Sequence, residues 1–593
     1  MAAPFFTPVR RNHIVGPAGV GSILVTRSGV TAVVCGLPEW IERAPARGNE
    51  PQARRADQQR LLEAHQLHDS NAERDLGVVR FISPPPVDDE PAYGKTWFIP
   101  AVRFPLAEYC HNPSCQRIGY SSPESPSVGR CPECATSKRA SRRQQVPIVL
   151  VCPSGHLDEI DLDAHVHPNG RCFEPQVAYR SGLSITAPEI KCLGCGAHAR
   201  VNPREPVACT GRRPWLPGRS QEQCSEHMQV MDRTSTATFF PDVRSYLHIP
   251  VEGHLRDAVL RWLESDPVAS VLRKADSAET RALILERIRP YYPDMTDASL
   301  AEHLTYLNSP PAAEQRGRAG ELDALTSGRR GAHTDDGPPI LDAETIPASK
   351  FNPAYVGPNA PVGKVVAVHR LAETRVLAGF TRIKPPSRTL TGAPGFPHMW
   401  GERQGTTPGH DWLPGMRVYG EGLLLELNPA RVDSWTSQAA AYLGTRTLRD
   451  EALTPAFEVA HTLAHLLMNA AALQCGYPVA SLRDRIYDLP GRTALLIYTG
   501  EGDVLGTMGG LVELAQPGHL EPLLEEAYAH ARWCGLDPVC LDPVQHLRDA
   551  RAGACHQCCL LPETSCGWWN EALDRATLVG RDGALKGFLH LEH

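Results

Sequence analysis

The sequence predicts an α+β multidomain protein in which zinc-ribbon-like four-cysteine modules are inserted in a mixed α/β scaffold. Three observations carry this reading. Sixteen of the 18 cysteines fall into tight groups. Short β-branched runs alternate with stretches of helical apolar period. The length, 593 residues, corresponds to roughly three to five domains. With 42% hydrophobic and 21% charged residues the chain has an ordinary globular composition, which excludes global disorder, and its 53 prolines and 49 glycines imply long irregular connections.

Net charge and hydropathy exclude two function classes. A net charge of −7 does not suit a protein that coats nucleic acid through bulk positive charge, so any DNA contact must be local. The most apolar helical stretch, Phe457 to Leu473, is interrupted by His461, His465 and Asn469; no membrane span is predicted. The amino terminus has no basic stretch leading into a long apolar run. The cysteines are therefore expected to be metal ligands in a reducing cytoplasm rather than a disulfide framework.

Five segments follow in order. In residues 1–100, the runs from Ser22 and from Val30 flank Arg27-Ser-Gly and predict a hairpin. A helical stretch from Gln52 to Ala72 ends before the proline-rich break after Ser83. In residues 101–151, Cys110-x4-Cys115 and Cys131-x2-Cys134 are two thiolate pairs across a loop, the donor set of a closed tetrahedral Zn2+ site. In residues 152–250, Cys192-x2-Cys195, Cys209 and Cys224 predict a second zinc site. Cys152, His156, His165 and Cys172 are candidates for a further shell of two cysteines and two histidines, with His167 close by.

Residues 251–347 predict helices over Leu255 to Glu264 and Ala278 to Ile288, where Leu and Ile recur every three or four positions. Pro311 to Pro347 lacks an apolar period and is expected to be a linker. Residues 348–593 mix strands (from Val365, Arg375, Gly422 and Thr493) with the helix Phe457 to Leu473. There Cys555, Cys558 and Cys566 offer three thiolates, with Cys540 as the fourth and Cys534 as its alternative; Cys559 is a bystander. Zinc is favoured at this last group, although an iron–sulfur cluster accepts the same four cysteines. Two or three structural Zn2+ sites are expected in all.

No catalytic residues are assigned. Gly94-Lys-Thr resembles the end of a phosphate loop, but Asp89 stands where the earlier glycine is required. His461-x3-His465 puts two imidazoles one helical turn apart, with Thr462 in place of a zinc-protease glutamate. With Asp503 they form a candidate pocket, and the alternative to helix packing is a metal-dependent nuclease. Two basic patches are candidate DNA contacts: Arg139, Arg142 and Arg143 after Cys134, and Arg212 and Arg213 beside Trp215.

The carboxy-terminal residues Phe457-Glu-Val-Ala-His-Thr-Leu-Ala-His-Leu-Leu-Met, Ser481-Leu-Arg-Asp-Arg-Ile-Tyr, Gly506-Thr-Met-Gly-Gly-Leu and Ala554-Cys-His-Gln-Cys-Cys-Leu-Leu-Pro-Glu-Thr-Ser-Cys resemble the DUF1998 domain. Most of the chain resembles the DrmB family of DISARM antiphage systems. Val102-Arg-Phe-Pro, Cys152-Pro-Ser-Gly-His, Cys209-Thr-Gly-Arg-Arg-Pro-Trp, Gly379-Phe-Thr-Arg-Ile and Leu573-Asp-Arg-Ala-Thr-Leu-Val-Gly carry that likeness. The departures are Met508, where leucine is expected, and the doubled Cys558-Cys559. The resemblance implies a component that associates with the helicase DrmA in a complex engaging DNA, particularly duplex with a single-stranded 5′ end; the missing ATP and catalytic motifs point to a non-catalytic partner. It also implies a methyltransferase and a phospholipase-D-like protein as further DISARM partners.

Overall fold

The computed structural model describes residues 5–42, 80–82, 96–134, 141–170, 172–180, 188–218, 221–248, 259–260, 262–263, 266–274, 277–308, 317–328, 341–386, 412–443, 454–500, 509–541, 553–562, 565–581 and 585–589. The chain divides into two compact units, Met1–Ser245 with Arg375–Met416, and Tyr246–Thr374 with Arg417–His593.

The first unit is built from short strands. The expected hairpin is present: Ile23–Val25 pairs antiparallel with Thr31–Val34, and Gly29 supplies a φ of +81° in the connection. Thr96–Arg103 and Phe5–Arg10 extend this sheet to four strands. Three further small sheets follow. Ala107–Cys110 lies between Ile118–Tyr120 and Arg143–Gln145. Ile148–Val151 lies between Leu157–Asp158 and His227–Asp232, which also pairs with Val207–Ala208. Glu189–Cys192 lies between Val177–Arg180 and His198–Arg200.

The sheets around Ile148–Val151 and Glu189–Cys192 share a small apolar core that includes Leu150, Leu162, Ile190 and Val230. Among the described residues the cluster around Cys110, Cys131, Cys134 and Cys115 contains no other apolar side chain. Elsewhere in this unit one buried arginine ties loops together. Arg382 donates to the carbonyls of Gly155 (2.8 Å), Gly21 (2.8 Å) and Thr238, and lies 4.9 Å from the Trp215 ring and 4.8 Å from that of Phe380. Burial pulls its pKa down to about 9.

The second unit holds long antiparallel strands with both faces covered. Arg492–Thr499 lies between Leu482–Leu489 and the end of Trp412–Leu427, and Asp342–Ile346 pairs with Val362–Thr381. Period-two alternation separates two cores. Val365, Ala367, Leu423, Leu425, Leu495 and Ile497 face one, and Val366, Val368, Leu424, Ala494, Leu496 and Tyr498 face the other. The first core is closed by the helix Pro455–Cys475, which contains the expected Phe457 to Leu473. Its start is fixed by the Thr454 side chain accepting from Phe457 N, with proline at the first position, and its end by Gly476 at φ 72°. Nearly every residue from Ala456 to Ala471 is buried. The high apolar content thus marks an interior helix, and no helix among the described residues is long and apolar enough to cross a membrane.

The second core corrects the linker expectation. Within 311–347 lie the helix Arg318–Thr326 and the strand Asp342–Ile346. Leu322 and Leu325 are buried, and so is Glu321, which takes two charge-assisted bonds from Arg485 (2.8 and 2.5 Å) and one from Leu247 N (3.0 Å). A buried ion pair replaces an apolar position, which is why the segment reads as aperiodic. The predicted helix Ala278–Ile288 is observed with a capping box at Ser277 and Thr280, whereas the stretch from Gln52 to Ala72 lies outside the described residues.

Removing one partner of the buried pair leaves the other charge uncompensated. Arg485→Ala is expected to destabilise this unit by about 3–5 kcal/mol, measured by denaturant unfolding. Replacing Glu321 and Arg485 together by Leu and Met is expected to recover most of that loss.

Candidate metal centres

Among the described residues four groups of cysteine and histidine converge, each with its donor atoms within 4.8 Å of one another. The first is Cys110, Cys115, Cys131 and Cys134, as the spacing predicts; Cys110 Sγ lies 3.7 Å from Cys134 Sγ and Cys115 Sγ 3.9 Å from Cys131 Sγ. Asn112 N donates to Cys110 Sγ at 3.4 Å, the backbone-to-sulfur contact of a knuckle.

The set Cys192, Cys195, Cys209 and Cys224 is not brought together, and this corrects the expected second site. Its members divide between two groups, one nested inside the other along the chain. The outer group is Cys152, His156, Cys209 and Cys224; the inner is His167, Cys172, Cys192 and Cys195. Strand pairing is the cause. Cys152 and Cys209 each follow a strand of the sheet around His227–Asp232, while Cys192 ends a strand of the separate sheet Val177–Arg180, Glu189–Cys192, His198–Arg200. The expected Cys152, His156, His165, Cys172 shell is divided in the same way. His165 joins neither group, and its Nε2 faces Arg200 O at 3.2 Å.

Each histidine in these groups is oriented by a carboxylate. In the outer group, Cys209 Sγ lies 3.5 Å from His156 Nδ1 while His156 Nε2 faces Glu222 Oε2 at 2.9 Å. In the inner group, Cys195 Sγ lies 3.4 Å from His167 Nε2 while His167 Nδ1 faces Asp163 Oδ1 at 2.9 Å. A carboxylate on the far nitrogen fixes the tautomer that presents a lone pair to a metal. Sequence reasoning misses His167 because its neighbour His165 has equal claim there; Asp163, four residues earlier on the helix Leu162–Val166, is the distinguishing feature.

The fourth group is Cys534, Cys540, Cys555 and Cys558, with Cys534 Sγ 3.5 Å from Cys555 Sγ and Cys540 Sγ 3.7 Å from Cys558 Sγ. Both Cys534 and Cys540 take part, and Cys566 does not. Arg575 holds this loop from within, donating to Gly553 O (2.9 Å), Ala531 O (2.8 Å) and Asp537 Oδ1 (2.6 Å). Cys566 instead meets His461, His465 and Asp484, all fully or nearly buried. The expected third member of the histidine pocket, Asp503, lies outside the described residues.

The thiols in a group cannot all ionise on their own. Burial pushes Cys115 up to about 12, whereas Cys131 is held down at about 7, since the N–H groups of Cys134 and Glu133 outweigh its burial. Cys209 is likewise pushed up to about 12 by burial, and Cys192 drops to about 6 against burial through the N–H groups of Cys195, Gln176 and Gly194. A divalent cation removes this conflict by accepting every sulfur as thiolate.

The basic patches fare differently. Arg212 pairs with Asp158 (2.8 Å) and Glu159 (3.6 Å), Arg213 with Glu222 (3.5 Å), and Trp215 is fully buried, so this patch is tied up internally. Arg142 is exposed beside Arg130, while the Arg143 guanidinium lies across Gly119. Arg139 lies outside the described residues.

The fold and its cysteine groups define a zinc protein with multiple structural sites. Residues 463–559 match the MrfA Zn-binding domain, which spans the fourth group, and residues 10–240 match a domain of unknown function, DUF8724. The chain is DrmB-like: it is 26% identical over 522 residues to the DISARM protein DrmB of Bacillus paralicheniformis, covering 81% of this chain and 89% of that protein.

The nested pairing has a direct check in zinc counts. Cys152→Ser and Cys224→Ser are each expected to remove one equivalent, and the double variant still only one. Cys152→Ser combined with Cys172→Ser is expected to remove two. Elemental analysis of folded full-length protein reads both.

Proposed function

We propose that this chain is a non-catalytic, zinc-braced component of a DISARM antiphage system, working in the cytoplasm with a DrmA-type helicase to engage or load DNA that has a single-stranded 5′ end. The observation that carries the proposal is the likeness to DrmB over nearly the whole of that relative. A methyltransferase and a phospholipase-D-like protein are its further expected partners. The Zn2+ ligands we assign are Cys110, Cys115, Cys131 and Cys134; Cys152, His156, Cys209 and Cys224; His167, Cys172, Cys192 and Cys195; and Cys534, Cys540, Cys555 and Cys558.

Four protein donors leave a zinc ion no open position for water or substrate, so these shells support bracing rather than hydrolysis. The nuclease alternative meets a physical obstacle. His461 and His465 have no exposed surface, and a DNA phosphate cannot reach them. For DNA contact we favour Arg142, exposed on the first zinc module, over Arg212, Arg213 and Trp215.

DNA-stimulated ATP turnover by the partner helicase, measured with and without this chain, tests the proposal. The chain is expected to raise turnover or change DNA preference while neither hydrolysing ATP nor cutting DNA alone. Cleavage by the isolated chain, or unchanged helicase kinetics, would overturn it. Arg142→Ala is expected to weaken DNA binding several-fold and to reduce the salt dependence by about one phosphate contact.

A further inference from the structure

We propose that His461, His465, Asp484 and Cys566 form a further zinc site, a fifth four-donor shell buried in the second unit. The inference does not rest on the defence role. His461 and His465 sit one turn apart on the helix Pro455–Cys475, Asp484 on the strand Leu482–Leu489, and Cys566 after the fourth cysteine group.

Hydrogen-bond accounting carries the argument. His461 Nδ1 faces Ala572 O at 3.3 Å and His465 Nδ1 faces Cys559 O at 2.9 Å. Carbonyls only accept, so both Nδ1 atoms hold a proton, and each ring, when neutral, presents a lone pair at Nε2. His461 Nε2 then lies 3.1 Å from Asp484 Oδ2 and 3.2 Å from Cys566 Sγ, and His465 Nε2 lies 3.7 Å from the same carboxylate oxygen. Neither His465 Nε2 nor Asp484 Oδ2 makes a hydrogen bond. Electron-pair donors facing one another in a dry core repel unless a cation lies between them. The separations are close to the edges of a tetrahedron with Zn–N of about 2.1 Å and Zn–S of about 2.3 Å.

The surroundings are those of ligands. Cys566 Sγ receives Trp568 N and Asn570 N, each at 3.3 Å. The same contact from the residue two places on occurs at Cys110, Cys152, Cys209 and Cys555, all members of the other groups. Asp484 Oδ1 accepts from Gly567 N at 2.8 Å, which turns Oδ2 toward the histidines. Cys558 gives its sulfur to the fourth group, while the main-chain carbonyl of Cys559 orients His465. With four protein donors and no exposed edge, the site is structural and fastens the helix, the strand and the carboxy-terminal segment together.

Zinc in the purified full-length chain is expected at five equivalents, falling to four in Asp484→Asn and in His465→Gln. If both variants fold, by circular dichroism, and keep the wild-type count, the cluster is a hydrogen-bonded core and the proposal fails. Should the variants not fold, cobalt-substituted wild-type crystals decide it. An anomalous peak at the cobalt edge between the four side chains supports the site, and its absence there, with peaks at the four other groups, overturns it.

Discussion

Sulfur atoms held less than 4 Å apart in buried or half-buried groups are the constraint on which the rest of the structure depends. As thiolates they repel and as thiols they bury weak donors with little to bond, so a cation must supply the cohesion. In the first unit the apolar support is uneven: Ile148, Leu150, Leu162 and Ile190 cluster with Cys152 and Cys192 of the second and third groups, whereas the first group has no such neighbours among the described residues. Strands of two to six residues form the sheets that carry its cysteines, and the first cysteine cluster has no aliphatic core. Metal binding and folding of the first module are therefore one equilibrium. The second unit differs, since its sheet carries apolar side chains on both faces and a buried helix closes one of them.

Nesting has a consequence for how the modules depend on each other. Cys152 and His156 must meet Cys209 and Cys224 across a loop that contains the whole inner group. Once the inner group is tied, the loop the outer group closes is effectively shorter, and its closure entropy is smaller. Arg212 and Asp158 reinforce the same junction, since Leu157 N also donates to Arg212 O and Thr210 to Asp158. The residues that resemble a DNA-facing patch in the sequence are thus part of the clamp around the outer group.

How much of this is legible in the sequence depends on range. Cys110, Cys115, Cys131 and Cys134 are readable because each pair is local and a single hairpin-like knuckle brings the pairs together. The His461-x3-His465 spacing is readable as a chelating geometry for the same reason. Asp484 and Cys566 are not, because strand register and a return of the chain carry them to the helix from far along the sequence. The nested groups are misread because proximity in the chain favours Cys192 with Cys209, whereas sheet pairing separates them. Trp215 beside two arginines suggests base stacking, yet the ring is a core residue packed against Phe380 and Arg382. The helix Arg318–Thr326 is hidden because Glu321 occupies an inward position, which only its distant partner Arg485 makes tolerable.

Closed shells also bear on what kind of work the chain can do. A catalytic zinc keeps one position for water or substrate, and every group here has four protein donors. The metals must act through the surfaces they stiffen. At the first module this link is short. Cys131 N donates to Ser141 O, His111 N to Arg142 O and Arg143 N to Gly129 O, so the segment bearing Arg142 is bonded directly to the ligand loops. An exposed arginine on a freely moving loop loses conformational entropy when it meets a phosphate; one whose backbone is fixed by a metal knuckle has already lost part of it. Rigid presentation of a few charges on a chain of net negative charge is how local DNA contact can arise without general affinity for nucleic acid.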